Sequence, residues 1–197
     1  FKGENNSKWT TLSAQSDILS QNFKVIWIPN CAKAATNPSM GYDPVYWFSN
    51  HTSSFGSLIQ LNSMISKFNN LGTDIIEDLV VNHRSGVNTW TDFPTETWNG
   101  KTYKMGPEHI CSDDEVASQP GQAKPTGNRD TGEGFHGSRD LDHTSPLVQE
   151  HVTDFCKYLL SELNFSGFRW DMVKGFGGEY VKKYLKASKP KYSVGEY

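Results

Sequence analysis

The sequence predicts an α/β protein built around a parallel sheet. Short β-branched and aromatic runs alternate with segments whose apolar residues recur at helical spacing. Each strand–helix–strand step is long enough for the crossover that parallel strands require. Periodicity alone leaves a (β/α)8 barrel and an open doubly wound sheet both available.

Residues 12–22 read as a short helix, with Thr10, Thr11 or Ser13 to cap it. FKVIWIP, residues 23–29, is dense in strand formers and ends at proline, so it reads as a buried strand. A loop follows. Leu58, Leu61, Met64, Ile65 and Phe68 then mark a helix that Gly72 stops. DIIEDLVV, residues 74–81, is the next strand. From Arg84 to about His143 the chain is rich in Gly, Pro, Asn, Asp and Thr with little periodicity. A loop of that length inside a compact domain is uncommon and usually functional, so it reads as an irregular inserted subdomain. Order resumes with Leu147, Val148, Val152, Phe155, Leu159 and Leu163 on one helix. Residues 165–172 form a strand, 179–187 a helix carrying Val181, Tyr184 and Leu185, and 192–196 a last strand. The chain contains no internal repeat and no low-complexity tract.

Composition narrows the classes. A net charge of −3 over 197 residues gives no electrostatic reason to expect nucleic acid or an anionic membrane as partner. No apolar run approaches the roughly 18 residues that a membrane span needs. The start, FKGENNSKWT, lacks Met and does not resemble a signal peptide, so the ends read as cut. Cys31, Cys111 and Cys156 are odd in number and lack CxxC spacing, which predicts buried thiols with room for one bridge. Trp47, Trp90, Trp98, Tyr42 and Tyr46 fall in or near loops, where flat faces can stack on sugar rings; ordinary core packing is the competing expectation. Asn5, Asn50 and Asn164 fit N-x-S/T.

GFRWDMVKG carries the chemistry. Alternation puts Phe168 and Trp170 on one face of the strand, Arg169 and Asp171 on the other. Buried charges are costly unless paired, so a charged pair on a buried strand points toward function, with a structural ion pair as the alternative. Arg169 is expected to lower the pKa of Asp171 and keep it ionised, as a nucleophile requires. Glu196 ends the next strand. In a parallel barrel the strand C-termini open onto one face, so Asp171 and Glu196 would converge there. Two carboxylates flanking a scissile bond are what glycoside hydrolysis requires. His83 ends DLVVNH at the same rim, where a capping or solvent role competes with a functional one.

Together these segments resemble the α-amylase family, glycoside hydrolase family 13. DLVVNH (78–83) resembles its motif on barrel strand 3, GFRWDMVKG (167–175) its strand 4 motif, VGEY (194–197) its strand 5 motif, and RDLDH (139–143) the motif near the end of inserted domain B. HICSDD (109–114) and TGNRDTGEGF (126–135) are most similar to plant-type members and their bacterial relatives. The resemblance implies part of a (β/α)8 TIM barrel, about strands 2–5 with strand 1 at most partial. Residues 1–83 and 144–197 would be barrel and 84–143 domain B, with strands 6–8 and a C-terminal β-domain missing. It implies a retaining α-amylase acting on internal α-1,4 bonds of starch- or glycogen-type glucans, secreted and monomeric. Asp171 matches the nucleophile, Arg169 the arginine that positions and ionises it, and Glu196 the general acid/base. His83 matches a histidine bonding the −1 sugar, Tyr42 the tyrosine stacking on it, and Lys174 a residue of the +1/+2 side. One structural calcium is implied, with Asn82, Asp130 and Asp140 as side-chain ligands and Glu133 and Gly175 as carbonyl ligands. The donor types agree with what calcium takes, although Asp130 and Asp140 read in isolation as turn residues.

Two departures qualify the resemblance. The family's third catalytic carboxylate lies beyond Tyr197, so the 197-residue piece alone is expected to be inactive and poorly stable. Position 134 is Gly where a carboxylate would serve additional calcium ions, so one ion is expected. Exo-acting, cyclodextrin-active and glucanotransferase relatives are the enzymatic alternatives. A non-catalytic glucan-binding or transporter-associated protein is the alternative outside catalysis.

Overall fold

The structure, a computed structural model, describes residues 7–197. The start of the N-terminal segment and the Asn5 sequon lie outside the described residues. Helices α1 (Trp9–Ala14) and α2 (Ser16–Asn22) replace the single helix expected over 12–22. Trp9 explains the earlier start. Its amide donates to the Phe55 carbonyl at 2.9 Å and its ring packs 5.0 Å from that of Phe55, and the chain breaks helical geometry at Gln15. Strand β1 (Val25–Ile28) follows, then α3 (Leu58–Asn70). A capping box starts α3, with the Ser57 side chain accepting from the Gln60 amide and the Gln60 side chain accepting from the Ser57 amide. Its Leu61, Met64, Ile65 and Phe68 are fully buried, as their spacing predicts.

Strand β2 (Asp74–Leu79) stops short of the expected residue 81. The backbone beyond it serves the insert instead: the Val81 carbonyl accepts from His143 Nε2 at 2.9 Å and the Asn82 carbonyl from the Leu141 amide at 2.9 Å. Short strand β3 (His83–Arg84) accordingly pairs antiparallel with a later segment, Arg139–Asp140. Between them the stretch read as irregular contains a hairpin, β4 (Glu96–Trp98) and β5 (Lys101–Tyr103). Its two-residue turn is Asn99-Gly100, both at positive φ (49° and 77°), the geometry for which Asn-Gly is the favoured sequence. Arg139–Asp140 is β6. Helix α4 (Pro146–Ser161), strand β7 (Gly167–Trp170), helix α5 (Gly178–Ser188) and strand β8 (Tyr192–Gly195) complete the order.

β1, β2, β7 and β8 form one parallel sheet in that order. Each new strand adds on the same side. A doubly wound sheet reverses direction at a switch point, whereas a barrel does not. With right-handed crossovers, continuous addition puts every helix on one face and leaves the other for the strands' inward residues. Among the described residues the arc does not close into a barrel, and no helix is long and apolar enough to cross a membrane.

One buried ion pair ties the insert to the loop after β1. Arg84 Nη2 lies 2.5 Å from Glu96 Oε2, with both side chains fully buried. Glu96 also accepts from the backbone amides of Trp47, Phe48 and Ser49 at 2.8–2.9 Å. Burial pushes the Glu96 pKa up, but the Arg84 charge and those amides outweigh it and hold the carboxylate below its ordinary range. Arg84 donates to the Val45 carbonyl and lies over the Trp47 ring at 4.8 Å. Trp47 therefore belongs to the core, and Trp98 packs against Phe48 rather than facing a ligand. Cys31, Cys111 and Cys156 are all buried free thiols, with no bridge. Removing one member of a buried pair strands the other charge. Glu96→Ala should therefore lower stability by about 3–5 kcal/mol, read as a lower urea midpoint at unchanged slope; an unmoved midpoint would refute the tie.

Candidate active site

The sheet register assembles the site. Trp170 of β7 pairs with Gly195 of β8, so the next residue on each strand, Asp171 and Glu196, emerges side by side at the C-terminal edge. The Glu196 amide donates to the Trp170 carbonyl at 3.0 Å and the Met172 amide to Glu196 Oε2 at 3.1 Å. On the neighbouring pair, Asp78 of β2 stands opposite Arg169 of β7. Phe168 and Trp170 are buried in the core, with Trp170 stacked on Tyr184 of α5. Arg169 takes the other side of the strand. Its Nη1 lies 2.7 Å from Asp78 Oδ1 and 2.7 Å from Asp171 Oδ1, and its Nη2 lies 2.9 Å from Glu196 Oε1. The Trp27 ring sits 4.7 Å from the guanidinium carbon, close enough for a cation–π contact. Asp171 and Glu196 thus share one guanidinium, with Asp171 buried and Glu196 about half exposed.

One cation serving three carboxylates changes the expected electrostatics. Burial pushes the Asp171 pKa up, the neighbouring Asp78 charge pushes it further, and Arg169 only partly offsets them, leaving it at about 7. The expectation that Arg169 would hold Asp171 below its ordinary range is corrected accordingly. Asp78 itself is raised, chiefly by burial. Burial opposes the Arg169 charge, but its carboxylate partners outweigh that and raise its pKa, so the arginine stays charged.

His83 and Tyr42 form the next wall. His83 Nε2 donates to the Tyr42 carbonyl at 2.8 Å, which leaves Nδ1 to accept from Asn82 Nδ2 at 3.3 Å. Burial lowers the His83 pKa to about 4, so the ring is neutral. Phe135 stacks on it at 4.1 Å. The Tyr42 hydroxyl lies beside Asp78, and burial together with that charge raises its pKa to about 12. Lys174 is exposed, and its amine pairs with Glu133 at 2.9 Å.

The expected calcium ligands converge where the insert meets β2 and β7. Asp140 Oδ1 accepts from Asn82 Nδ2 at 3.0 Å. A Cβ added to Gly175 would fall 2.2 Å from Asn82 Oδ1, so only glycine lets this backbone approach the amide. The Glu133 amide donates to the Lys174 carbonyl at 2.9 Å, which draws the insert to the same place. Asp130 Oδ2 is buried without a hydrogen-bond partner. Burial, then Asp130, Asp114 and Glu115, raise the Asp140 pKa to about 8. Among the described residues no group of three or more His, Cys, Asp or Glu side chains is placed to hold a metal ion. The set is instead an amide, two carboxylates and carbonyls, the oxygen donors that calcium takes. An orphaned carboxylate oxygen and accumulated negative charge fit a cation there.

Two site residues escaped the sequence reading. Asp78 lies within a quoted motif, and its signal was a carboxylate on a buried strand, where it follows Glu77. Phe135 had none, because its stacking on His83 depends on the fold of the insert.

The Alpha-amylase family model (alpha amylase, catalytic domain) matches residues 18–191. Alpha-amylase 3, chloroplastic, of Arabidopsis thaliana is 30% identical over 181 residues, which are 92% of this chain and 19% of that protein. Probable alpha-amylase 2 of the same plant is 30% identical over 189 residues, 95% of this chain and 43% of that protein. The chain therefore spans less than half the length of these relatives. An α-amylase structure from Malbranchea cinnamomea superposes with a TM-score of 0.70 at 19% identity, covering 96% of this chain and 40% of its own. α-Amylase I from Eisenia fetida gives 0.67 at 24% identity, covering 96% and 43%. The parallel arc is thus the expected part of a TIM barrel, with the open periodicity alternative, a doubly wound sheet, set aside.

Proposed function

The chain belongs to the α-amylase family, and from that membership and the carboxylate pair we propose that the protein carrying it is a retaining α-amylase cutting internal α-1,4 bonds of starch- or glycogen-type glucans. The observation that supports this most is the Arg169 clamp, which holds Asp171 and Glu196 through one guanidinium. In the proposed reaction protonated Glu196 donates to the glycosidic oxygen while ionised Asp171 attacks the anomeric carbon. Glu196, now ionised, then takes a proton from water, which attacks the glucosyl–Asp171 ester and restores the original configuration. Half-exposed Glu196 suits a group that must exchange protons with water, and buried Asp171 suits one that must meet the sugar. His83 and Tyr42 would line the −1 side and Lys174 the +1/+2 side.

Among structural relatives, an α-amylase from Geobacillus thermoleovorans is described in complex with acarbose, and one from Eisenia fetida with maltohexaose. Secretion, expected from the family, draws no support from Alpha-amylase 3, whose name places that protein in the chloroplast.

We assign a calcium ion to Asn82, Asp130 and Asp140 with the Glu133 and Gly175 carbonyls. Bound there, it would supply structural charge neutralisation between the insert and both catalytic strands.

Four outcomes test these assignments in the intact protein. Asp171→Asn and Glu196→Gln should each remove nearly all starch hydrolysis, and either one retaining more than about a tenth of the wild-type rate would remove its residue from the chemistry. Asp171 must be ionised to attack, so kcat/KM should fall on the acid side as pH drops through about 7. Asp78→Asn keeps an oxygen acceptor for Arg169 but removes a neighbouring negative charge. That lowers the Asp171 pKa, so the acid limb should move to lower pH; a limb that stayed or rose would contradict this electrostatic account. Finally, EDTA should lower the melting temperature, and an unchanged value would count against the calcium site.

A further inference from the structure

Met172, between Asp171 and the turn at Gly175, holds an unusual backbone. Its φ is 47° and its ψ 52°, in the left-handed region. A residue with a long side chain rarely adopts that region, because Cβ crowds the following carbonyl oxygen. Among the described residues three other non-glycine residues have positive φ. Asn99 and Asn164 carry the short amide that tolerates it, and Lys189 closes helix α5. Met172 neither carries such a side chain nor ends a helix.

The surroundings fix this conformation from three sides. The Met172 amide donates to Glu196 Oε2 at 3.1 Å. Its carbonyl accepts from the Gly175 amide at 2.9 Å. Its sulfur lies 3.7 Å from Asn82 Nδ2. The next amide, on Val173, donates to the Glu196 carbonyl at 3.2 Å, so the side chain and the backbone of Glu196 both bear on this one turn. Strain of this kind persists only where neighbouring contacts over-determine it, and it concentrates at functional sites.

The two oxygens of Glu196 therefore have different neighbours. Oε1 lies 2.9 Å from Arg169 Nη2, so a proton there would point at a cation. Oε2 faces a neutral amide, from which a hydroxyl oxygen still accepts through its remaining lone pair. The transferable proton accordingly belongs on Oε2. As it leaves for a glycosidic oxygen, negative charge develops on Oε2 and the bond from the Met172 amide strengthens. An interaction stronger in the transition state than in the ground state speeds the step.

We infer that Met172 is a positioning residue for Glu196, its left-handed backbone aiming an amide N–H at the oxygen that gives up the proton. This rests on the proposed acid/base role of Glu196, and it names which oxygen acts and what holds it.

Two substrates with the same maltotriosyl donor test this in the intact protein. Maltotetraose releases glucose, whose oxygen must be protonated, whereas α-maltotriosyl fluoride releases fluoride, which departs without a proton. The ratio of their kcat/KM values isolates the proton-dependent part of bond cleavage and does not change with the fraction of folded enzyme. Met172→Ala keeps a Cβ in the turn but removes the sulfur contact, so the backbone should leave the left-handed region and carry the amide away. The maltotetraose-to-fluoride ratio should then fall about tenfold. Met172→Gly removes the side chain too but makes the left-handed region free of strain, so its ratio should lie closer to the wild-type value. A Gly ratio no better than the Ala ratio overturns the inference, as does an equal loss on both substrates, which packing alone would give. Glu196→Gln, measured in parallel, should lower the same ratio further. If it does not, the acid/base reading falls and the Met172 role with it. If it does while Met172→Ala leaves the ratio unchanged, the Met172 role alone falls.

Discussion

The arrangement depends on a single guanidinium that is asked to neutralise too much. Arg169 bonds Asp78 and Asp171 through one nitrogen and Glu196 through the other. A simple two-partner ion pair would fix Asp171 as a permanently ionised carboxylate. Burial of Asp171 raises its pKa first, and a cation shared with Asp78 and Glu196 only partly offsets that rise. Asp78 is 1% exposed and cannot relax into solvent, so its charge is felt by Asp171 across the arginine. The net effect poises a buried nucleophile near neutrality, and it makes Asp78 a positioning residue whose influence runs through Arg169.

That clamp needs its strands in register, and the register is secured from outside the sheet. The insert departs at His83–Arg84 and returns at Arg139–Asp140, and the two segments pair antiparallel at the rim. Arg84 anchors the hairpin through Glu96 and reaches back to Val45. At the return end, His143 Nε2 donates to the Val81 carbonyl and Nδ1 accepts from the Tyr184 hydroxyl at 2.6 Å, with Phe176 stacked 4.3 Å away. Burial lowers the His143 pKa to about 4, so this neutral ring joins the insert, the end of β2 and helix α5 without bringing a charge into the core. Irregular backbone is thereby held almost as firmly as the sheet at the places where it borders the catalytic rim.

Regular elements were largely legible in the sequence because burial follows period. Leu61, Met64, Ile65 and Phe68 on α3 and Val148, Val152, Phe155 and Leu159 on α4 are buried as their spacing requires. The failures have local causes. The helix expected from residue 12 starts at Trp9 because a tertiary contact to Phe55 holds that residue. β2 ends early because the carbonyls just beyond it, on Val81 and Asn82, bond the insert. The β4–β5 hairpin was missed although Asn99-Gly100 is a strong turn signal, since the flanking strands are only three residues each. At the site, motif positions located Arg169, Asp171 and Glu196, but a pKa is a sum over neighbours. Burial of Asp171 and the charge of Asp78, opposite Arg169 on the neighbouring strand, together reverse the shift expected from Arg169 alone.

The same reasoning separates Arg84 from Arg139, two buried arginines that are direct partners in the β3–β6 pair. Arg84 has Glu96, and its donors also reach Val45 and Met105, so its charge is fully accounted for by the fold. Arg139 has an aromatic face and one carbonyl. Register partners on a ladder share a face, so the two guanidinium groups part only through what their long side chains reach: Arg84 meets buried Glu96, and Arg139 lies over the Trp90 ring.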